Sequence, residues 1–263
     1  MNLDQVNIAI RQRTVLESVD LSLPFSLRLG RRVYGRLALV TLLPAWLLCM
    51  GIGYAFGLAW GWLWLMALAM TNLLQGVFTI AAGRLMFEDS VAPSEVLRTY
   101  LKKLPVYAVG LVWTRTLIGF ASLAFMLLLP VAWIRYAFAH EVLLLEGSGI
   151  KNLGARSAGM VKGQTGVAAQ MLACLVGMTV GGVLVTELLA MGTVSFLLQL
   201  GKPLGSLLDD GGSAFSLLGL FAATPLVATA RFLSYIDGRT RRDAWDVQVR
   251  FQQVRARDKA QVV

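Results

Sequence analysis

Long apolar runs separated by short charged segments dominate the chain. No charged residue lies between Leu37 and Gly83, a run about twice as long as a helix needs to cross the ~30 Å hydrocarbon core of a bilayer. We therefore expect two spans there, joined by a turn near Gly57–Gly61, where two glycines permit the turn and tryptophans suit the interface. Gly53 and Gly57 also form a GxxxG spacing, for which turn formation is the favoured interpretation.

Two further apolar runs predict the last two spans. Gly163–Thr186 is uncharged, whereas Ser213–Ile236 carries Arg231 near its end and Pro225, which is expected to kink the helix. Between these runs, Leu188–Leu200 is too short to cross and is expected to lie at the outer interface or to dip back into the bundle. Close packing of the fifth span would be permitted by three of its glycines: Gly177, Gly181 and Gly182.

The interval Pro105–Leu145 allows two interpretations. It is either one span or an antiparallel pair that turns near Leu128–Pro130. One span would make the number of crossings odd and would place both the basic loop Lys151–Lys162 and the carboxyl terminus outside, whereas a pair keeps them inside. We adopt the pair, which makes Pro130–Glu146 a short fourth span and brings the total to six.

Ionisable residues fall inside this antiparallel pair, namely Arg115, His140 and Glu141. A turn near Leu128 places Arg115 at about the depth of Glu141, and an arginine at the membrane centre costs about 3 kcal/mol unless it is compensated. We therefore predict an Arg115–Glu141 ion pair with His140 beside it. Arg135 lies close to the turn and is expected to extend to the outer interface.

Two amphipathic segments are expected to rest on the membrane surface. Thr14–Glu17 fits a capping box, and the apolar residues after it recur at helical spacing. Arginines that could meet anionic headgroups cluster near the end of this segment: Arg28, Arg31, Arg32 and Arg36. An ordinary solvated helix packed on the membrane domain is the alternative. Ser94–Lys103 predicts a second, short helix that ends before Pro105, with Lys102 and Lys103 at the interface.

The basic residues are distributed asymmetrically. Of the 24 lysines and arginines, all but Lys202, Arg115 and Arg135 lie in segments that six spans place on one side. The positive-inside rule predicts that this side is cytoplasmic. The net charge of +9 thus reflects topology, and no nucleic-acid partner is expected, because the basic residues flank apolar spans.

These patterns predict an all-α fold, a polytopic integral membrane bundle of six transmembrane helices with amphipathic interfacial helices. Apolar residues make up 57% of the chain and charged residues 15%, which is unlike a soluble domain. Residues 1–36 would form a cytoplasmic arm, 37–236 the membrane domain and 237–263 a charged cytoplasmic tail. Charges before Leu37 interrupt any apolar core, so we expect no cleavable signal.

No constellation typical of an enzyme is found. His140 is the only histidine, which excludes a two-histidine zinc site and an HExxH helix. Cys49 and Cys174 each lie in an apolar run and are interpreted as small buried residues. There is no GxxxxGK[ST] loop. We therefore expect no catalytic residue, no metal site and no cofactor.

Short motifs in four places carry a family resemblance: Arg13–Glu17, Pro130–Arg135 with Leu145–Gly147, Arg156–Ser157 with Lys162–Gly163, and Tyr235–Asp246. They resemble the glycerophosphoryl diester phosphodiesterase membrane-domain family, six-span proteins of the bacterial inner membrane. The positions that carry this resemblance are Pro130, Arg135, Glu146, Gly147, Ser157, Gly163, Asp237, Arg241 and Arg242. The resemblance implies a stand-alone membrane domain without a catalytic domain and assigns no catalytic residue.

Two functions remain open from the sequence. The first is a non-enzymatic protein that scaffolds or regulates a membrane complex, using its basic face to contact anionic phospholipid headgroups or protein partners. The second is a small transporter or lipid-handling protein whose polar path passes Arg115, His140 and Glu141. A polar cavity that reaches these residues would favour the second function, whereas a closed ion pair packed by Leu and Phe would favour the first.

Overall fold

The computed structural model describes residues 11–88, 90–124, 128–147, 149–201 and 204–243. It is 86% helical with almost no sheet. Within the described residues, six helices are long and apolar enough to cross a membrane: Arg31–Phe56, Trp60–Leu85, Pro93–Leu123, Leu128–Glu146, Thr165–Leu197 and Ala214–Arg242. The predicted all-α, multi-pass membrane fold is confirmed.

The α-helices are, in chain order, α1 (Val15–Pro24), α2 (Arg31–Leu37), α3 (Leu43–Phe56), α4 (Trp60–Leu85), α5 (Pro93–Ala124), α6 (Leu128–Arg135), α7 (Ala139–Glu141), α8 (Ile150–Val161), α9 (Thr165–Met191), α10 (Leu207–Asp210) and α11 (Ala214–Asp243). Wider π-helical turns continue several of them at Phe25–Leu29, Ala38–Leu42, Val142–Glu146 and Gly192–Leu197. Two short strands, β1 (Gly205–Ser206) and β2 (Gly212–Ser213), form an antiparallel hairpin.

Helix α11 is the centre of the bundle. It packs against α9, α4 and α1. Helix α5 packs on α4, and α6 packs on α5, as an antiparallel pair requires. The predicted pair is therefore confirmed, although part of its turn, at residues 125–127, lies outside the described residues.

The bundle has two ends. At the Trp60 end, α4 and α11 begin, and tryptophans hold the β-hairpin: Trp64 Nε1 donates to the carbonyl of Gly211 at 2.9 Å. A Cβ on Gly212 would lie 2.7 Å from the Trp60 ring, so this close contact requires glycine. At the opposite end, the Arg84 end, α4 finishes, α5 begins, and α8 packs beside the last turns of α11.

The turn between the first two spans lies where it was predicted. Gly57 ends α3 with φ of 58°, the left-handed conformation that glycine adopts without strain. Gly53 has a different role, because a Cβ there would lie 2.7 Å from Leu63 Cδ2 of the next helix. The two glycines thus serve a turn and a close helix approach within the same hairpin.

The prediction that a short helix ends before Pro105 is wrong. Helix α5 continues through Pro105 from Pro93 to Ala124. Tyrosines on both sides of the proline bond to carbonyls of α4: Tyr100 to Leu73 at 2.9 Å and Tyr107 to Asn72 at 3.1 Å. These contacts hold the two halves of α5, before and after the proline, against α4.

The prediction that the fifth span ends at Thr186 is also wrong. The helix continues past Glu187 to Met191 and on to Leu197. The Glu187 carboxylate is buried and accepts hydrogen bonds from the Leu207 amide, at 2.9 Å, and from the Ser213 hydroxyl. Because this charge is compensated inside the fold, it does not terminate the helix.

The segment predicted as the basic loop Lys151–Lys162 is largely helix α8. Its buried residues recur at helical spacing and were overlooked among the charges: Leu153, Ser157, Met160 and Val161. Gly147 (φ 64°) and Gly163 (φ 82°) form the left-handed turns before and after it. Two positions of the family-like motif are therefore turn glycines.

Candidate functional site

A cavity of about 440 Å³ lies beside α11, between α4, α9 and the α5–α6 pair. It is near the middle of the spans, since Asn72 and Gln75 are central in α4 and Thr224 is central in α11. Its rim on α6 and α9 is exposed: Trp133 by 37% and Val180 by 49%. The cavity therefore opens sideways, at the flank of the bundle that faces lipid, and its volume is typical of small-molecule sites.

The cavity wall is mostly apolar, with a set of polar side chains within it: Thr71, Asn72, Gln75, Arg115, Thr179, Thr224 and Arg231. The Gln75 side chain is 6% exposed, and its Nε2 has no hydrogen-bond partner in the described part of the chain. A buried amide without a partner costs free energy, so Gln75 is an unsatisfied donor behind the cavity wall. Several apolar side chains of α9 complete the wall.

The predicted Arg115–Glu141 ion pair is wrong. Arg231 of α11 takes the place of Arg115: its Nε lies 3.2 Å from Oε1 and 3.3 Å from Oε2 of Glu141, and its Nη2 donates to the Ala137 carbonyl. Both side chains are buried. Depth along the helices is compatible with either arginine as the partner of Glu141. Glu141 faces α11, however, and Arg231 lies opposite it on that helix.

Arg115 instead contacts an uncharged residue. Its Nη2 donates to Oδ1 of Asn72, and it forms no salt bridge with any acidic side chain among the described residues. Its side chain reaches the cavity, as does that of Arg231. Two arginines therefore border one space at mid-span depth, Arg231 buried and Arg115 exposed, and Glu141 balances the charge of Arg231 alone.

His140 belongs to a buried hydrogen-bonded chain. Its Nδ1 lies 2.7 Å from the hydroxyl of Tyr107, and that hydroxyl lies 3.1 Å from the Asn72 carbonyl. One phenolic proton cannot serve both acceptors, so the chain is complete when neutral His140 donates from Nδ1 and Tyr107 donates to Asn72. Arg115, His140 and Glu141 are thus brought into one polar region by residues that were not predicted: Asn72, Tyr107 and Arg231.

Several of the family-like motif positions lie at the Arg84 end. Arg156 of α8 donates to Glu146 from Nε at 2.7 Å and from Nη2 at 3.0 Å, and the Tyr235 hydroxyl donates to Glu146 at 3.0 Å. Ser157 donates to the carbonyl of Arg135 at 2.8 Å. These bonds connect the fourth span, α8 and α11, and their role is structural.

A second set of bonds at the same end fixes the start of α1, and we call it the Asp237 clasp. Asp237 accepts from the Arg13 amide at 2.6 Å and from Arg241 Nε at 2.8 Å, and Arg241 also donates to the Arg13 carbonyl. Burial, with the nearby charge of Arg11, lowers the pKa of the Arg13 side chain. Arg242 lies beside Gly159, where a Cβ would approach its Nη1 within 2.6 Å. Arg135 and Pro130 are exposed on α6.

The predicted surface segment has an unexpected orientation. Thr14 caps α1 as expected, accepting from the Glu17 amide at 3.2 Å. The buried face of this segment combines three serines with two apolar residues: Ser18, Ser22, Ser26, Val15 and Phe25. Leu16, Leu23 and Leu27 point outward and are more than half exposed, at 57%, 52% and 58%. Because these residues and not the leucines face the protein, the leucines remain available to lipid.

The basic residues predicted for the membrane surface differ in placement. Arg28, Arg31, Arg32, Arg36 and Lys102 are exposed. Lys103 is half-buried, and its Nζ donates to the Leu144 carbonyl, where the fourth span ends. It therefore closes a helix end instead of lying free at the surface.

The class that the fold defines is a multi-pass α-helical membrane protein with a laterally open, arginine-lined cavity. Comparisons of the chain with protein-family models, with curated proteins and with solved structures found no match.

Proposed function

We propose that this protein handles a small amphiphile, as a lipid-handling protein or a small transporter, and that the lateral cavity is the binding site. The observation that carries this proposal is a space of about 440 Å³ at mid-span depth that reaches both Arg115 and Arg231. A scaffold would be expected to fill this space with Leu and Phe, because an unfilled polar cavity contributes nothing to its stability.

The exposed apolar rim of the cavity supports the entry of a ligand directly from the bilayer. Trp133, Val176 and Val180 border the cavity and are exposed by 37%, 41% and 49%. An amphiphile could therefore keep its apolar part against α6 and α9 while its polar part contacts Asn72. Such a molecule would not have to leave the membrane to bind.

Blocking the rim tests this function. Val176→Trp narrows the entrance, and Val185→Trp is the matched control because Val185 lies on the same helix, is 55% exposed and does not line the cavity. Native mass spectrometry of protein extracted in mild detergent should detect a bound amphiphile in the wild type and in Val185→Trp, and little in Val176→Trp. Equal retention in all three, or none in the wild type, would contradict the proposal.

A non-enzymatic scaffold or regulator of a membrane complex is the second candidate, and the surface of α1 favours it. Outward leucines next to exposed Arg28, Arg31 and Arg32 suit an anionic phospholipid surface. This surface is compatible with amphiphile handling, because it lies outside the cavity. In either case we propose that the chain performs no catalysis.

We propose a location in the bacterial inner membrane with both termini in the cytoplasm. The support is the asymmetry of the lysines and arginines across six spans. We also propose a relationship to the glycerophosphoryl diester phosphodiesterase membrane-domain family. Its support is that Glu146, Ser157 and Asp237, far apart in the sequence, all take part in bonds at the Arg84 end.

A further inference from the structure

We infer that the cavity binds the headgroup of an amphiphile that carries a single negative charge on oxygen, a phosphodiester or a carboxylate. This inference rests on the proposed function and adds the chemical class of the ligand. The groups that would contact the oxyanion are the side chains of Arg115 and Arg231, which both line the cavity.

The charge balance of the cavity points to an anion. Glu141 pairs with Arg231 and leaves Arg115 without a carboxylate partner among the described residues. The three side chains together carry one excess positive charge at a depth where an uncompensated charge is costly. One anionic headgroup would restore neutrality, whereas a zwitterion would bring a second cation close to the two arginines.

Unused hydrogen-bond donors of the two arginines also indicate an anionic ligand. Arg115 uses only Nη2 within the described chain, and Arg231 uses Nε and Nη2, so donors on both guanidinium groups remain open. A site that offers several donors and excess positive charge is complementary to an oxyanion, which only accepts hydrogen bonds.

The apolar part of the ligand would leave through the rim. The headgroup contacts lie on α5 and α11, and the exposed apolar side chains lie on α6 and α9. An acyl chain attached to the bound headgroup would therefore lie along Trp133, Val176 and Val180 and remain in contact with lipid. A free anion such as inorganic phosphate could use the donors but would gain nothing from this rim.

The test compares ligands that differ in charge. Purified full-length protein in dodecyl maltoside is titrated by calorimetry with lysophosphatidylglycerol, oleate, lysophosphatidylcholine, monooleoylglycerol and inorganic phosphate. We expect the two anionic amphiphiles to bind about tenfold more tightly than the neutral and zwitterionic ones, since charge-assisted hydrogen bonds are the stronger kind. Arg115→Gln should remove this preference by weakening the binding of the two anionic amphiphiles about tenfold.

Arg135→Gln is the matched control, because it removes the same charge from an exposed arginine of α6 that does not line the cavity. If Arg135→Gln loses the preference as Arg115→Gln does, general attraction to a basic protein explains it and the inference is overturned. Equal binding of anionic and neutral amphiphiles by the wild type overturns the anionic class and leaves the proposed function standing. Binding of phosphate without binding of any amphiphile, or no binding at all, overturns both.

Discussion

Oε1 of Glu141 lies 3.2 Å from Nε of Arg231, and the two residues belong to different spans. The Glu141 side chain is fully buried, and that of Arg231 is 8% exposed. Arg231 also donates to the Ala137 carbonyl, at the turn that interrupts the fourth span. The pair therefore joins α11 to the most irregular part of the antiparallel pair, and it holds one of the two cavity arginines in place.

Removing one partner of this pair should be more harmful than removing both. Glu141→Leu leaves a buried guanidinium uncompensated, and we expect a loss of about 3–5 kcal/mol in the free energy of unfolding. The double variant Glu141→Leu, Arg231→Met should recover most of that loss, since no buried charge remains. Unfolding in detergent, followed by helical circular dichroism against denaturant, measures both effects.

Glu95→Leu supplies the control for a surface pair. Glu95 bonds to Arg84 at 2.8 Å, but its side chain is 64% exposed. We expect Glu95→Leu to lower the free energy of unfolding by less than about 1 kcal/mol, because water screens this pair. The single variant Arg231→Met completes the comparison. If the stability losses of Glu141→Leu and Arg231→Met simply add in the double variant, the two residues do not form the coupled pair that the geometry describes.

The crossing of α9 and α11 depends on particular glycines. A Cβ on Gly219 would lie 2.6 Å from the Gly182 carbonyl oxygen and 2.8 Å from Val183 Cα, and backbone atoms cannot move aside cheaply. We expect Gly219→Ala to destabilise the protein by about 1–3 kcal/mol, as overpacking does. Thermal unfolding in detergent measures the change.

Gly177→Ala is the matched control on the same pair of helices. Nothing lies within 4 Å of a Cβ at Gly177, and the same holds at Gly181. The substitution should be neutral or slightly stabilising, because alanine is the better helix former. Equal destabilisation by Gly177→Ala and Gly219→Ala would contradict the packing described for this crossing.

These glycines also show what the sequence can and cannot predict. Apolar run length predicted six spans, because crossing a bilayer imposes a length. The expectation that Gly177, Gly181 and Gly182 all permit close packing holds only for Gly182, whose Cβ would meet Ala223 at 2.9 Å. Which side of a helix faces a neighbour depends on tertiary packing, and an all-apolar helix has no polar face that reveals it.

The same limit explains why the sequence predicted the wrong partner for Glu141. Depth along the chain predicted correctly that Glu141 needs a cation inside the membrane, but both Arg115 and Arg231 satisfied that condition. Arg231 was placed near the inner end of its span, although the helix continues to Asp243 and leaves it well inside. The overlooked signal was the length of α11, whose charges at Asp237 and Arg241 are compensated within the fold.

Six spans place both chain ends on one side of the membrane, and we expect that side to be the cytoplasm. Reporter fusions at the amino and carboxyl termini should both give a cytoplasmic signal. A cysteine-accessibility probe at Leu208, which is 88% exposed at the Trp60 end, should label from the opposite side. Termini on different sides would contradict the even number of crossings.

The Asp237 clasp should control access to the start of α1. Asp237 accepts from the Arg13 amide and from Arg241 Nε, at 2.6 and 2.8 Å, within a buried site. Asp237→Asn removes the charge and turns one acceptor into a donor that faces another donor. Because hydrogen bonds to charged groups contribute about 1.5–3 kcal/mol, we expect tryptic cleavage after Arg11 and Arg13 to be at least about tenfold faster.

Asp20→Asn is the control for this cleavage, since Asp20 lies exposed on α1 and the substitution makes the same change of charge. Its cleavage rate should match that of the wild type, measured by mass spectrometry of the released peptides over time. Global unfolding would accelerate cleavage at many arginines, whereas loss of the clasp alone should accelerate cleavage only at the start of α1. Equal rates for Asp237→Asn and Asp20→Asn would mean that other contacts, such as the buried face of α1 against α11, hold this helix in place.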